Sequence, residues 1–367
     1  MKIGTITFSG AHNYGSVLQA YALQTFVERI FSDRGESCTY QIINYRSEFQ
    51  KTLYSRPRVS SFKSTLKWLM YAPYKKKLES QSQKFKEFTS QYLNLSKEFS
   101  DEKELPAMSK KFDILLAGSD QIWNIRARDF SFAYLFENCD KKKISYAASL
   151  GPLKIDWNLY DKYRYERAVK QFSNLSVREE KSKEMLSSIL PTASIEVHVD
   201  PTLLLSVDEW RKIQSDMNVK NGKYILFYCL EPNKNHLRLA KLLSKKTGLP
   251  VVATKYRNKM DYLNTFIKQY DAGPRDFLSL IDNAAMVFTS SFHGTAFSLI
   301  YNKPFYVIDG IKDGRISNIL HLSHAESNSV TLDSKDFLAD PKAIDITDWL
   351  KIQQEQSKSY LLNALGI

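Results

Sequence analysis

Blocks of apolar and polar positions alternate along this chain with the spacing of strands and helices. Ile3–Phe8 is rich in apolar and β-branched residues, as in a buried strand, and a polar turn, Ser9–Gly15, follows it. The next apolar residues recur at helical spacing: Leu23, Phe26, Val27 and Ile30. The chain therefore opens with a strand, a turn and a helix, which is the first step of an α/β fold.

The same alternation continues towards the end of the chain. In the first half it predicts a helix at Tyr160–Phe172 and strands at Thr39–Asn44, Phe112–Ala117, Lys143–Ser149 and Leu175–Val177. In the second half it predicts helices at Lys234–Lys246, Arg275–Asn283 and Thr295–Tyr301, and strands at Tyr224–Leu230, Pro250–Thr254, Ala285–Thr289 and Pro304–Ile308. Two such series predict two doubly wound, Rossmann-like α/β domains that face each other.

The length supports the same division, because 367 residues make about two domains. We place the first domain at residues 1–205, where Val197–Leu205 closes it, and the second at residues 206–343. The last segment, residues 344–367, is predicted to be a helix that packs back on the first domain.

Residues 51–86 interrupt the α/β pattern. They contain ten Lys or Arg and one acidic residue, and therefore nine of the twelve net positive charges of the chain. Apolar residues mark two helical faces in this region: Phe62, Leu66 and Leu69, then Phe85, Phe88 and Tyr92. We predict a basic helical insertion in the first domain at about 51–95.

Composition narrows the partners and the chemistry. The net charge of +12 favours anionic partners, whereas no nucleic-acid-binding motif and no glycine-rich nucleotide loop occurs. We therefore expect no nucleic-acid partner and no cofactor. The three cysteines lie far apart, and among the histidines only His321 and His324 have paired spacing, in a polar late segment, so we expect no metal site. The longest apolar run has seven residues, Tyr224–Leu230, and a membrane-spanning helix needs roughly 20. We expect a soluble, cytoplasmic protein.

Two polar clusters follow predicted strands of the first domain, where open α/β sheets bind ligands. Ser9–Gly15 precedes a helix whose first N–H groups suit an anion or a sugar hydroxyl. Ala117–Asn124 offers Asp120 as a base or hydroxyl ligand and Trp123 as a surface for a sugar ring. The alternative is that the first cluster is an ordinary turn, Asp120 caps a helix and Trp123 lies in the core.

Two further clusters carry cationic groups. Arg178 follows a strand and suits a carboxylate or phosphate. The alternative is a surface salt bridge with Glu179 or Glu180 that has no function. His293 lies between a strand and a helix, where it suits an oxyanion and proton transfer near neutral pH; the alternative is a capping role. Three downstream residues are candidates to complete a cationic pocket: Lys303, Lys312 and Arg315.

These clusters occur in an order that resembles the polysaccharide pyruvyl transferase family. The matching strings are HNYGSVLQAYALQ at 12–24, AGSDQIWN at 117–124, SYAASLG at 145–151, SVREE at 176–180, VDPTLLL at 199–205, GPRDFLSLIDNA at 273–284 and TSSFHGTAFSLIYNKPF at 289–305. Each string alone is weak evidence, but their joint order and spacing over nearly the whole chain is specific.

The resemblance implies a glycosyltransferase B (GT-B) type fold with the site in the interdomain cleft, and phosphoenolpyruvate as the donor of a cyclic pyruvate ketal. It implies donor binding by Arg178 and His293, with His293 as general acid and Asp120 as acceptor ligand or base. The wider donor set is Ser291, Gly294, Thr295, Lys303, Lys312 and Arg315. The wider acceptor set is His12, Asn13, Tyr14, Gln121, Trp123 and Asn124.

The resemblance also implies a sugar or lipid-linked oligosaccharide acceptor in capsular or other cell-surface glycan synthesis. With such an acceptor, residues 51–86 suit an anionic membrane surface, and a solvated helical hairpin is the alternative. Two other functions remain open. One is a GT-B glycosyltransferase that uses a nucleotide sugar, and the other is a non-enzymatic basic binding protein.

Overall fold

The computed structural model describes residues 1–53, 72–255, 264–331 and 340–367. These residues divide into two units. The first holds residues 1–53, 89–205 and 347–367, and the second holds residues 72–88 and the described part of 206–346. Each unit contains one six-stranded parallel sheet, so the predicted α/β class is confirmed.

Helices alternate with the strands in both units. In chain order they are α1 (Tyr14–Asp33), α2 (Glu48–Leu53), α3 (Lys75–Tyr92), α4 (Leu105–Ser109), α5 (Lys162–Val169), α6 (Glu180–Ser187), α7 (Val207–Ile213), α8 (Lys234–Thr247), α9 (Pro274–Asp282), α10 (Phe292–Ile300), α11 (Gly314–Leu322) and α12 (Thr347–Leu365). Local sequence signals explain several boundaries. The side chain of Asn13 caps α1, Gly248 ends α8 in the left-handed region, and Pro274 occupies the first turn of α9.

The sheet of the first unit has the order β2-β1-β3-β4-β5-β6, and its strand pairings are parallel. Its strands are β1 (Lys2–Ile6), β2 (Thr39–Ile42), β3 (Ile114–Ala117), β4 (Lys142–Ser145), β5 (Phe172–Val177) and β6 (Ile195–Val197). The C-terminal helix α12 belongs to this unit, and the Tyr360 hydroxyl at its end donates to the Ser145 carbonyl at 2.7 Å.

The sheet of the second unit has the order β12-β11-β10-β7-β8-β9 and is also parallel. Its strands are β7 (Ile225–Tyr228), β8 (Val251–Ala253), β9 (Ile267–Lys268), β10 (Met286–Thr289), β11 (Phe305–Ile308) and β12 (Ser329–Val330). The central strands β7 and β10 are mostly apolar and buried, because helices pack on the sheet: leucines of α8, Phe277 of α9 and Gly294 of α10 lie against it.

The basic segment differs from the expectation of an insertion in the first domain. Its described residues 72–88, which include most of α3, cluster with the second unit. Lys84 donates to Asp276 at 2.7 Å, and Gln81 donates to the Ala272 carbonyl at 3.0 Å. Tyr74 packs edge-on against Tyr270. The expected helical face of Phe62, Leu66 and Leu69 lies outside the described residues.

Candidate functional site

Each sheet has one topological switch point, where successive connections leave in opposite directions. In the first unit the chain turns one way from β1 to β2 and the other way to β3, so the switch lies between β1 and β3. In the second unit the order places the switch between β7 and β10. Ligands of open α/β sheets bind outside the carboxyl ends of strands at such points. The first, second and fourth polar clusters follow β1, β3 and β10.

His293 lies in the first turn of α10, directly after the carboxyl end of β10. Its side chain is largely buried, and its ring meets the Phe292 ring edge-on at 5.1 Å between centroids. Ser291 is the N-cap residue of α10, but its side chain makes no capping hydrogen bond. The positive end of this nine-residue helix therefore lies beside the imidazole, and both are groups that can attract an anion.

The other residues of this cluster hold α10 against the sheet. A Cβ atom on Gly294 would lie 2.2 Å from Thr289 Oγ1 and 3.0 Å from the Tyr228 ring, so only glycine fits this approach. Thr289 Oγ1 donates to the Tyr228 carbonyl at 2.6 Å and accepts from the Ser291 amide at 3.0 Å. Thr295 Oγ1 donates to the Ser291 carbonyl at 3.1 Å. These contacts fix the position of His293.

The topology separates the three candidate cations. Lys303 precedes β11, whereas His293 follows β10, and the two strands are parallel. Lys303 therefore lies at the opposite edge of the sheet. Burial lowers the pKa of its ammonium, the charge of Asp282 raises it in part, and the charge of Arg211 lowers it. This placement does not support the prediction that Lys303 binds the donor. Lys312 and Arg315 follow β11 and share the edge of His293.

Lys312 and Arg315 differ in how firmly they are paired. Arg315 donates to both carboxylate oxygens of Asp313, from Nε at 3.0 Å and Nη2 at 2.5 Å, and is mostly buried. Lys312 pairs with Asp309 at 2.9 Å, and its side chain is 73% exposed. An exposed lysine pair is worth little, so Lys312 can exchange Asp309 for an anionic ligand at low cost.

Asp120 is the central residue of the first unit's switch point. Its φ of 74° is a conformation that residues other than glycine rarely adopt, and it costs roughly 1–3 kcal/mol. Its carboxylate accepts from Ser16 Oγ at 2.7 Å and from the Gln121 amide at 2.8 Å. Its carbonyl accepts from the Ser149 amide at 3.0 Å. Strain that neighbouring contacts hold in place is typical of functional residues.

The predicted acceptor residues divide into surface and core groups. Trp123 is fully buried, donates to the Tyr134 carbonyl at 3.1 Å and packs edge-on against Phe172, so no face is open to a sugar ring. Tyr14 is buried, and Asn13 caps α1 by accepting from the Gly15 amide. Asn124 is buried beside Gly151. His12 and Gln121 are only partly buried.

Arg178 follows β5, but its guanidinium is 2% exposed and lies between two acids. Nη1 donates to Asp200 at 2.6 Å, and Nε lies 3.4 Å from Glu179. Burial opposes the charge of Arg178, but the carboxylates of Asp200, Glu179 and Asp120 outweigh burial and raise its pKa. The pair is therefore buried and its shortest contact is with Asp200, which differs from the expected surface salt bridge and does not support the predicted grip on the donor.

Two acids near this edge were not singled out from the sequence. Asp200 accepts from Arg178, from the Thr202 amide and, at 3.3 Å, from Ser119 Oγ beside Asp120. Burial raises the pKa of Asp129, and the negative charge of Asp120 raises it further. Asp129 lies in an irregular segment without periodicity, so the sequence pattern carried no signal for it. The VDPTLLL string did contain Asp200.

Within the described ranges, no group of three or more His, Cys, Asp or Glu side chains is arranged to hold a metal ion. None of the helices described is both long and apolar enough to cross a membrane.

Comparisons with known proteins identify the family and the fold. The sequence model of the family described as "Polysaccharide pyruvyl transferase" matches residues 13–310. No curated protein sequence matches the chain significantly.

Solved structures show the fold. The UDP-GlcNAc 2-epimerase from Neisseria meningitidis, bound to UDP-GlcNAc, is similar with a TM-score of 0.52 and 11% identity, over 100% of this chain and 99% of that one. The UDP-GlcNAc 2-epimerase from Methanocaldococcus jannaschii, in complex with UDP-GlcNAc and UDP, is similar with a TM-score of 0.52 and 13% identity, over 100% of this chain and 99% of that one. At this identity the likeness concerns the fold alone, which is the GT-B fold.

The family model covers most of the chain, and the matched region contains both switch-point clusters around Asp120 and His293. The chain therefore belongs to the polysaccharide pyruvyl transferase family and is a transferase enzyme with a GT-B fold.

Proposed function

We propose that this enzyme transfers pyruvate from phosphoenolpyruvate to two hydroxyls of one sugar, forming a cyclic ketal during polysaccharide biosynthesis. The observation that carries the proposal is His293 in the first turn of α10 at the switch point of the second sheet. Family membership supports the reaction class. The elements at this edge suit a small, highly anionic donor.

Phosphoenolpyruvate carries a phosphate and a carboxylate, and the second unit offers three elements of positive potential for them. These are the His293 imidazole, the N-terminus of α10 and the exposed ammonium of Lys312. Gly294 keeps α10 close to β7 and β10, so the helix end stays fixed relative to the sheet. We assign the donor to this edge.

The chemistry requires one proton at carbon and the removal of two from hydroxyls. We propose that His293 protonates the methylene carbon of the donor, which leaves an oxocarbenium-like centre at C2. A sugar hydroxyl adds to C2 and loses its proton, and the C2–O bond to phosphate breaks. A second hydroxyl of the same sugar then closes the ketal and loses its proton. One proton stays in the new methyl group and the other leaves with hydrogen phosphate.

Asp120 is the proposed group that binds or deprotonates the acceptor hydroxyls. Ser16 and the Gln121 amide orient its carboxylate, and its strained backbone fixes the direction of the side chain. Gln121 and His12 are the remaining candidates for acceptor contacts. Both are partly buried and lie after the carboxyl ends of the adjacent strands β3 and β1.

We further propose that the sugar is carried on polyprenyl pyrophosphate, as an intermediate of capsular or other cell-surface glycan synthesis, and is modified at the inner face of the cell membrane. The net charge of +12 supports an anionic acceptor of this kind. Comparing kcat/KM for a pyrophosphate-linked sugar with that for the free sugar tests this point. Equal values would contradict it.

Phosphate release tests the donor. We expect inorganic phosphate to appear when the enzyme is incubated with phosphoenolpyruvate and a sugar acceptor. His293→Gln should lower the rate by about 10²–10⁴-fold, the usual contribution of a general acid. The matched control is His321→Gln, an exposed histidine of the same unit that pairs with Glu326, and it should retain the wild-type rate.

Two results would overturn the proposal. Transfer from a nucleotide sugar, with no phosphate released from phosphoenolpyruvate, would establish a glycosyltransferase instead. If the His293→Gln variant had the wild-type rate, His293 would not be the general acid, and its assignment to the donor site would lose its support.

A further inference from the structure

The outer face of α8, in the second unit, carries a row of cations. Its five basic residues are all exposed, and the helix contains no acidic residue. Four of them recur at spacings of four, three and four residues, which places them on one side of the helix over about 16 Å. They are Lys234, Arg238, Lys241 and Lys245.

This arrangement opposes the stability of the helix. Like charges three or four residues apart repel each other by a few tenths of a kcal/mol per pair. Lys234 adds a positive charge in the first turn, where the helix dipole favours acids. Both effects destabilise the helix, and an anionic partner would reduce both.

Three of the four cations in the row form no ion pair with a carboxylate in the described part of the chain. Among the described residues, no ion pair involves Lys234, Arg238 or Lys245, whereas Lys246 on another side of α8 pairs with Asp340 at 3.0 Å. The row lines a shallow groove of about 420 Å³ together with Leu237 and Leu242. Leu242 is 47% exposed beside the cations.

The groove combines positive charge with exposed aliphatic surface. A leucine flanking a lysine row suits the boundary between lipid headgroups and acyl chains, where lysine stems lie along apolar surface and their ammonium groups reach phosphates. Nucleic-acid surfaces instead pair cations with aromatic side chains for base stacking, and the groove contains none. Both charge and chemistry favour a lipid surface.

We propose that α8 docks the second unit on an anionic phospholipid bilayer, with Lys234, Arg238 and Lys245 on lipid phosphates and Leu242 at the acyl boundary. None of these residues belongs to the proposed donor or acceptor set, and the inference does not depend on the proposed function. It assigns membrane contact to a described helix other than the segment 51–86.

Vesicle flotation tests the proposal. Wild-type protein should float with vesicles of phosphatidylcholine and phosphatidylglycerol at low salt, and not with pure phosphatidylcholine. Arg238→Glu/Lys245→Glu should lower the partition constant for vesicles at least about tenfold, because each cation near an anionic surface raises membrane affinity several-fold. The matched control, Lys212→Glu/Lys223→Glu, makes the same charge change at exposed sites of the same unit and should bind like wild type.

A second arm separates α8 from the basic segment. Lys75→Glu/Lys76→Glu, at the start of α3, should weaken binding less than the α8 variant does. Hydrogen exchange on the wild-type protein should show slower exchange of α8 amides when vesicles are added. This measurement does not depend on the folding of any variant.

Three results would overturn the proposal. One is vesicle binding that survives in the α8 variant and is lost only in the α3 variant. Another is unchanged exchange in α8 on vesicles that bind the protein. The third is tight binding of a DNA duplex, lost in the α8 variant, without binding to anionic vesicles.

Discussion

At the scale of single residues, the sequence indicated chemical types but not the direction in which side chains point. Asp120 was singled out because an acid follows a predicted strand, and the structure adds a strained backbone and two hydrogen bonds to its carboxylate. Trp123 lies three residues further on and is core. Spacing alone did not distinguish them, because tertiary packing decides which side of a short 3-10 turn is covered.

Arg178 illustrates the same limit. A guanidinium after a strand suits an anion, but Asp200 is 22 positions away in sequence, and the pair exists only in the folded unit. The position of Arg178 was therefore predicted from sequence, while its partners were not. In the structure, its buried guanidinium carries the positive charge beside the buried carboxylates of Asp200 and Glu179.

We predict that Arg178→Met destabilises the protein strongly. Methionine fills a similar volume but leaves Asp200 and Glu179 buried without a counter-charge, which costs about 3–5 kcal/mol of unfolding free energy. Urea unfolding measures the loss. The matched control is Arg164→Met, whose ion pair with Glu137 is more exposed, and it should cost about 1 kcal/mol or less. Equal losses in the two variants would contradict this account.

At the scale of elements, hydrophobic patterning predicted the long strands and helices well. The central strands β1, β3, β7 and β10 and the helices α1, α8, α9 and α10 occur where the pattern placed them, with ends shifted by a few residues. The edge strands β9 and β12 have two residues each and were not predicted. Two residues cannot display a period, so only pairing with a neighbour defines such strands.

We predict that Gly294→Ala displaces α10 from the sheet. The added methyl group meets Thr289 Oγ1 and the Tyr228 ring, so the helix must move or the core must strain, at a cost of about 1–3 kcal/mol. Thermal unfolding measures the destabilisation, and KM for phosphoenolpyruvate should rise as well, because His293 moves with α10. An unchanged melting temperature and KM would show that the close approach is not needed.

The docking of α12 should depend on pH through His198. Burial lowers the pKa of His198 to about 4, although Glu196 lies 3.8 Å from its Nε2. Nδ1 of the ring forms a hydrogen bond with Ser176 Oγ, and the ring packs against the Tyr360 ring of α12 with 4.5 Å between centroids. The unfolded histidine binds a proton below about 6.5, and the folded one only near 4, so stability is present above 6.5 and is lost as the pH falls.

We predict that unfolding free energy falls by about 2 kcal/mol between pH 7 and pH 5 because of this one group. In His198→Gln the same change of pH should cost correspondingly less, since glutamine does not titrate. Urea unfolding of both proteins at the two pH values gives the comparison. Parallel curves for wild type and variant would refute the assignment to His198.

At the scale of the whole molecule, the positive charge is distributed unevenly along the chain. Most of the net positive charge lies in the basic segment 51–86, and α8 carries further cations. The proposed donor site instead uses two side chains, His293 after β10 and Lys312 after β11. The division into two doubly wound sheets followed from the sequence pattern. The attachment of residues 72–88 to the second unit did not, because it depends on Lys84, Gln81 and Tyr74 meeting partners almost 200 positions later.

We predict that kinetic effects divide between the two units. Lys312→Gln should raise KM for phosphoenolpyruvate by about tenfold, the value of one charge-assisted contact, and leave KM for the sugar unchanged. Gln121→Ala should raise KM for the sugar and leave KM for phosphoenolpyruvate unchanged. Initial rates with one substrate varied at a time measure both constants. A variant that shifts both values equally would contradict the division.

The central claim is ketal transfer with protonation of the donor's methylene carbon, and mass spectrometry of the acceptor after incubation with phosphoenolpyruvate in D₂O tests it most directly. The account predicts a mass gain of one ketal-linked pyruvate that carries one deuterium in its new methyl group. An unmodified acceptor, a pyruvate ketal without solvent deuterium, or a product formed only from a nucleotide sugar would contradict it.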